Sequence, residues 1–184
     1  MEINNNHIRK YPIGIQSFEN LRREGYLYVD KTALIYRLIT TGKPYFLSRP
    51  RRFGKSLLLS TLKAYFEGKK ELFEGLAIEK LEKQWAVHPV LHLDLNAEKY
   101  DSVERLEMQM NSQLLNWESQ YGCDAKDWTY SIRFMNVIKA AYEQTGQQVV
   151  VLIDEYDKPM LESLHDKELR DQFRSLLVAF YSVL

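Results

Sequence analysis

Three consecutive residues, Gly54, Lys55 and Ser56, form the tightest group in this sequence that could bind a phosphate. A lysine ammonium can neutralise the outer phosphates of a nucleotide, and a serine hydroxyl is a ligand for magnesium. The segment 45–56, YFLSRPRRFGKS, has the pattern of an apolar strand, a basic turn and the start of an amphipathic helix. A helix N-terminus favours anions because its first N–H groups have no partner within the helix. The pattern therefore predicts a P-loop.

This loop departs from the usual G-x-x-x-x-G-K-[ST] pattern, because Arg49 stands in the place of the first glycine and Pro50 follows it. Proline has no N–H, so the donors to a phosphate must come from the residues after it. A Gly-Lys-Ser triplet is also often no more than the start of a helix, and that alternative stays open at this point. The predicted phosphate-binding residues are Arg51, Arg52, Phe53, Gly54, Lys55 and Ser56.

A second candidate group follows another apolar run. Residues 149–153, VVVLI, have the continuous apolar character of parallel strands that are buried on both faces. Asp154 and Glu155 come directly after them, at the end of the strand where open α/β sheets bind ligands. Asp154 is placed to hold Mg²⁺, and Glu155 to activate the attacking water as general base. The alternative is a strand with a solvated acidic turn, but two such motifs in this order favour a P-loop ATPase over coincidence.

The composition is that of a soluble globular protein of one domain. Of 184 residues, 45% are hydrophobic and 27% charged, and 25 basic side chains balance 25 acidic ones. Zero net charge argues against a protein that binds nucleic acid over its whole surface. The single cysteine, Cys123, excludes an internal disulfide framework. No apolar run reaches about 20 residues and no signal-peptide core is present, so we expect a cytoplasmic protein without membrane contact.

Hydrophobic periodicity places helices around the two motifs. We expect residues 1–44 to form an N-terminal prelude that packs on an ATPase core at 45–184. The segment 89–95 has the pattern of an additional strand. The expected core stripes are Val103, Leu106, Met110, Leu114, Trp117 and Tyr121 in one helix, Ile132, Met135, Ile138 and Tyr142 in the next, and Leu169, Phe173, Leu176, Leu177 and Phe180 in the last.

The order strand, helix, strand, helices, strand, helix predicts an α/β fold with a parallel sheet. The extra strand and the adjacent Asp154 and Glu155 resemble the additional-strand class of P-loop ATPases. That resemblance implies a three-layer P-loop NTPase fold, with a sensor strand between the two motif strands. The sequence stops at Leu184, before such a strand. We therefore expect a truncated, marginally stable core that self-associates, with its last helix only partly covered.

Some residues allow more than one interpretation. Arg51 and Arg52 could contact nucleic acid, although arginines beside a phosphate loop more often support nucleotide phosphates. Asp30 and Lys31 could border the nucleotide or cap the helix that follows them. The four histidines have no third ligand at a suitable spacing, so we predict no zinc site.

Several segments closely resemble the AAA-ATPase-like family of bacterial P-loop proteins. They are YPIGIQSF at 11–18, YLYVDKT at 26–32, FLSRPRRFGKS at 46–56, YFEG at 65–68 and DEYDKP at 154–159. The resemblance spans nearly the whole chain, and it identifies Arg49 as the form that the loop takes in this family. Members of the family often carry a C-terminal PD-(D/E)XK nuclease-like domain.

The resemblance implies that Lys55 and Ser56 are phosphate and magnesium ligands, that Asp154 is the metal carboxylate and that Glu155 is the catalytic carboxylate. The expected function is an ATP-binding domain that hydrolyses ATP with Mg²⁺ to drive or gate an attached module, plausibly a nuclease. The alternative is a nucleotide-binding or interaction module without hydrolysis. This interpretation is compatible with a homo-oligomer and with nucleic acid that binds to an attached domain.

Overall fold

The computed structural model describes residues 10–42, 44–50, 52–123 and 128–184. The chain divides into two compact units, residues 1–87 and 88–184. The boundary that the sequence predicts between residues 44 and 45 lies inside the first unit and stays a prediction. The first unit contains the helices α1 (Phe18–Arg23), α2 (Thr32–Thr40), α3 (Lys55–Phe66) and α4 (Ala77–Leu81), with a 3₁₀ helix at Lys70–Phe73.

In its described residues, the second unit contains the strands β1 (Val90–Asp94) and β2 (Val150–Asp154) and four helices. The helices are α5 (Val103–Tyr121), α6 (Tyr130–Thr145), α7 (Lys158–Glu162) and α8 (Lys167–Tyr181). In the described residues of both units, no helix is long and apolar enough to cross a membrane.

An aromatic core holds the first unit together. Phe18 of α1 lies 4.9 Å from Phe73, between ring centroids, and Trp85 lies 5.2 Å from Phe73 and 5.6 Å from Tyr65 of α3. Aromatic pairs of this kind contribute about 0.5–1.5 kcal/mol each beyond the apolar area that they bury. The C-terminal half of α3 is thereby fixed in the core, so its N-terminus has a rigid support. The buried members of this core are Phe18, Ala64, Tyr65, Leu72, Phe73, Leu76 and Ile78.

The strand that the sequence predicts at 45–48 is not formed. Residues 44–50 are irregular, and Tyr45 and Phe46 are 56% and 70% exposed. Across the described residues of the chain, the sheet consists of β1 and β2 alone. Because an apolar run is held as a strand by neighbouring strands and a covered face, this exposed run stays irregular.

The two strands of the second unit are parallel. Val90 lies opposite Val150, and Asp94 lies opposite Asp154. Leu91 and Leu93 of β1 are almost fully buried, as expected for a strand that is covered by helices. The shared register brings the carboxyl ends of both strands to one edge of the sheet.

The face of α6 that packs into the core differs from the predicted one. Ile132, Met135 and Tyr142 are 40%, 51% and 53% exposed, so the predicted stripe is wrong for these three residues. The buried face consists instead of Arg133, Phe134, Val137 and Ala141. Arg133 lies on the buried face, although arginine is rarely buried unless it is paired. The spacing of the apolar residues alone therefore predicted a different face. The predicted stripe of α5 is confirmed for Leu106, Met110, Leu114, Trp117 and Tyr121, which are buried, while Val103 is partly buried.

The expectation that the last helix is only partly covered is wrong for three of its apolar residues and holds for Leu176, which is half-buried. Phe173, Leu177 and Phe180 of α8 are 0%, 5% and 2% exposed. Phe180 stacks on Phe134 of α6 with 4.5 Å between ring centroids. Each such buried side chain stabilises the fold by about 1.5–3 kcal/mol. The observed architecture is thus a mixed α/β structure with a small parallel sheet and many helices.

Candidate functional site

The candidate phosphate loop, residues 49–56, turns sharply into α3. Arg52 and Gly54 have φ angles of 66° and 76°, both in the left-handed region. The helix then begins at Lys55, with Ser56 as its second residue. The structure therefore places these four predicted site residues together at the N-terminus of a 12-residue helix.

The side chain of Lys55 reaches back over this loop. Its Nζ donates a hydrogen bond of 3.1 Å to the carbonyl oxygen of Arg49. Phe53, between them in sequence, is 63% exposed. Arg51 lies outside the described residues, so its predicted role stays a prediction. In the described part of the loop, Lys55 thus brings a positive charge over the residues that precede the helix.

The first turn of α3 suits an anion. Its N-cap is Gly54, which supplies no side-chain oxygen to the helix N–H groups, and the first turn of this described helix contains no acidic residue. The backbone N–H groups of a first turn also have no acceptor within their own helix. With the helix dipole, they create a positive field at this end of α3.

Hydrogen bonds from the rest of the unit fix α3 in place. The backbone N–H of Phe18 donates to Oγ of Ser60 at 2.9 Å, which ties the start of α1 to α3. Tyr65 donates its phenol hydrogen to the carboxylate of Glu82, and burial together with this carboxylate raises the pKa of Tyr65. These contacts fix α3 within the first unit and so hold its N-terminus in position.

The second half of the predicted site is the acidic turn, residues 154–158, which follows β2. Asp154 is 7% exposed, and its Oδ1 accepts a hydrogen bond of 3.0 Å from the backbone N–H of Glu155. Glu155 has a φ of 51°, a conformation that costs a residue with a Cβ about 1–2 kcal/mol. Such strain occurs most often at functional sites, where the rest of the structure maintains it. Asp154 and Glu155 are adjacent at the carboxyl end of a parallel strand.

A third carboxylate, which the sequence analysis did not select, lies at the same edge. Asp94 ends β1 directly opposite Asp154, is exposed, and accepts a hydrogen bond of 2.8 Å at Oδ1 from the backbone N–H of Asn96. The sequence contains a signal for this position, because Asp94 is the acidic residue near the end of the predicted strand at 89–95.

Lys158 is a second residue that the sequence analysis did not assign a role. Its Nζ donates to the carbonyl oxygens of Asn96 at 2.8 Å and of Glu98 at 2.6 Å. These partners lie about 60 residues earlier in the chain, so no local sequence signal pointed to them. Lys158 joins the acidic turn to the loop that follows β1.

Asp30 has the capping role that was one of its two interpretations. Its Oδ1 accepts from the N–H and the hydroxyl of Thr32, at 2.8 and 2.6 Å, and its Oδ2 accepts from the N–H of Ala77 at 2.7 Å. Burial disfavours the Asp30 carboxylate, but the hydrogen bonds from Thr32 and Ala77 outweigh burial and lower its pKa. Asp30 therefore joins the starts of α2 and α4.

The two halves of the predicted site belong to different units. The first holds Arg52, Phe53, Gly54, Lys55 and Ser56, and the second holds Asp154 and Glu155. No group of three or more histidine, cysteine or acidic side chains that could hold a metal ion occurs within the ranges that the structure describes. The roles of Ser56 and Asp154 as magnesium ligands stay predictions.

Comparison with known proteins gives two matches. The family described as "Predicted AAA-ATPase" matches residues 12–184. A protein of Azotobacter chroococcum mcd 1 named "Uncharacterized protein in vnfD 5'region" is 40% identical over 177 residues. These residues are 96% of this chain and 34% of that protein, so the chain spans about a third of the length of this relative. No solved structure matches the chain significantly.

Proposed function

Because the chain belongs to the predicted AAA-ATPase family, we propose that it binds ATP with Mg²⁺ through the candidate phosphate loop and hydrolyses it through the acidic turn. In this proposal the nucleotide domain drives or gates a further module of a longer protein. The alternative within the same site is a module that binds nucleotide without hydrolysis. Both alternatives predict that the chain binds ATP, but only the first predicts that it hydrolyses ATP.

The observation that carries the proposal is the start of α3. A glycine in the left-handed conformation, a lysine at the first helical position and a serine at the second form an anion site from backbone N–H groups, one ammonium and one hydroxyl. Unlike Ser, Thr, Asp or Asn at an N-cap, glycine has no side-chain oxygen that could occupy the first N–H groups of the helix. Gly54 leaves the approach to the helix N-terminus free of its own side chain.

The residues present fit ATP and Mg²⁺. A Cβ placed on Gly54 meets nothing within 4 Å, so space exists next to the loop. The donors at this helix start are the cationic ammonium of Lys55, the neutral backbone N–H groups and the hydroxyl of Ser56, a combination that suits a polyphosphate. We propose Ser56 and Asp154 each as an oxygen ligand of the cation, since Mg²⁺ takes oxygen ligands and retains several waters. When bound, Mg²⁺ would neutralise charge on the phosphate oxygens.

Within the proposed mechanism, each side chain has a separate task. Lys55 would exchange its bond with the carbonyl of Arg49 for one with a phosphate oxygen. Glu155 would accept the proton of the attacking water at a carboxylate oxygen. Its neighbour Asp154 accepts a hydrogen bond at Oδ1 from the backbone N–H of Glu155. This bond would hold the backbone of the general base in place.

The proposal is tested by titration with a fluorescent ATP analogue, with Mg²⁺ and with EDTA. Lys55→Ala should weaken binding about 10- to 150-fold, because a hydrogen bond to a charged group contributes about 1.5–3 kcal/mol. Lys63→Ala is the matched control, since Lys63 lies on the same helix and its exposed side chain pairs with Glu67 at 3.9 Å. Unchanged affinity in a folded Lys55→Ala variant would overturn the phosphate site. Binding without turnover in the parent would support the alternative.

The attached module is a separate proposal. The Azotobacter relative is about three times as long as the matched region, so a protein of this kind has room for further domains. We propose a PD-(D/E)XK nuclease-like module on the basis of the family resemblance alone. A gene whose reading frame encodes no such motif downstream would exclude it.

A further inference from the structure

The ammonium of Lys158 connects the two loops at the carboxyl end of the sheet. It donates to the carbonyl oxygens of Asn96 and Glu98, and it lies 3.8 Å from Oε1 of Glu162. It also lies 5.7 Å from the ring centroid of Tyr100. The side chain is only 15% exposed, which is unusual for lysine.

The backbone of Lys158 is engaged in the acidic turn at the same time. Its N–H donates to the carbonyl oxygen of Glu155 at 3.0 Å. One residue therefore closes the turn that contains Glu155 and attaches this turn to the loop after β1. A side chain placed in this way limits the movement of the turn relative to β1.

Glu162 strengthens the attachment from the other end of α7. Its Oε2 accepts a hydrogen bond of 2.7 Å from the backbone N–H of Tyr100, which is 1% exposed. Lys158 and Glu162 thus hold residues 96–100 at three backbone positions. Their partners are main-chain groups, so the attachment depends on the path of the loop and not on its side chains.

We infer that Lys158 is a positioning residue, which holds the acidic turn so that Glu155 keeps its strained backbone conformation. The inference rests on the proposed function, because it assigns a purpose to the position of Glu155. Without this ammonium, the carbonyl oxygens of Asn96 and Glu98 lose their donor, and the strain at Glu155 can relax. Lys158 itself contacts no substrate in this inference.

Hydrogen–deuterium exchange of the 184-residue chain tests the attachment without any nucleotide. In Lys158→Met, the amides of residues 96–100 and 155–158 should exchange about tenfold faster, since one lost hydrogen bond corresponds to roughly that factor. Lys158→Arg can donate to both carbonyls and should restore most of the protection. Lys167→Met, at an exposed lysine, should leave exchange unchanged. Lys158→Gln provides the same readout if Lys158→Met does not fold.

Turnover and ATP affinity are then measured on the same variants. Faster exchange in both loops, with turnover about 10- to 100-fold lower at unchanged ATP affinity and recovery in Lys158→Arg, would support the inference. Unchanged exchange at 96–100, or faster exchange with normal turnover, would overturn the role of Lys158 alone. A parent chain without nucleotide binding would overturn the proposed function itself, and the inference with it.

Discussion

Arg133 of α6 and Glu118 of α5 form a buried ion pair with two hydrogen bonds. Nε and Nη2 of Arg133 donate to the two carboxylate oxygens of Glu118, each at 2.7 Å, and both side chains are less than a tenth exposed. Nη1 donates to Oδ1 of Asn111 at 2.6 Å. The hydrogen bonds that Arg133 donates to Glu118 raise the pKa of Arg133. This pair fixes which face of α6 turns towards α5.

Removing one member of this pair should destabilise the second unit strongly. Glu118→Leu leaves the Arg133 charge buried without its partner, and we expect a loss of about 3–5 kcal/mol in the free energy of unfolding. Glu118→Leu combined with Arg133→Met removes both charges and should recover most of that loss. Urea denaturation followed by the fluorescence of the buried Trp117 measures both variants. A double variant as unstable as the single one would contradict this explanation.

Gly54→Ala should impair the candidate phosphate loop through the backbone alone. Its φ of 76° is unfavourable for alanine by about 1–2 kcal/mol, while the added methyl group meets nothing within 4 Å. We expect weaker ATP binding together with a small loss of stability. Gly75→Ala is the control, since its φ is 74° and its surroundings are equally open. Equal ATP affinity in the two variants would mean that the turn at Gly54 does not matter for binding.

Glu155→Gln should preserve nucleotide binding and slow hydrolysis by about a hundredfold or more, as expected when a general base is lost. Binding is measured by titration and turnover by phosphate release. Asp157→Asn is the companion variant, because Asp157 is the next carboxylate in the acidic turn. Loss of turnover in Asp157→Asn, with normal turnover in Glu155→Gln, would transfer the role of general base to Asp157.

Asp30→Asn should give a pH-dependent loss of stability in the first unit. The pKa of Asp30 is lower in the folded chain than its ordinary value of 3.8, so the carboxylate contributes stability above that value. This contribution disappears as the pH falls through the folded-state pKa. The melting temperature of Asp30→Asn should therefore lie below that of the parent near neutral pH, with a gap that narrows below about pH 4. Glu24→Gln, at an exposed carboxylate, is the control for the loss of one surface charge.

Sequence periodicity predicted the elements whose apolar faces are unambiguous. The segment 103–121 became α5 with its expected stripe buried, and the acidic strand became β2. The predicted core face of α6 was wrong. Its buried face depends on the ion pair of Arg133 with Glu118, which spans 15 residues and therefore leaves no periodic signal in the sequence. The apolar composition of residues 45–48 predicts a strand. Composition does not reveal whether neighbouring strands are present to pair with it.

The candidate site was predictable where function depends on consecutive residues. Gly54, Lys55 and Ser56 are adjacent in the chain, and so are Asp154 and Glu155, so a local motif could select them. Asp94 and Lys158 depend on strand register and on contacts over about 60 residues, which only the folded chain provides.

The left-handed backbone of Glu155 has an evolutionary consequence. Asparagine and glycine adopt a φ of 51° more readily than glutamate does, so a population selected only for thermal stability should replace Glu155. A population that must also keep ATP turnover should retain the glutamate despite its backbone strain. Deep mutational scanning under the two selections would then give opposite rankings for glutamate at this codon, and similar rankings at the relaxed helical positions nearby.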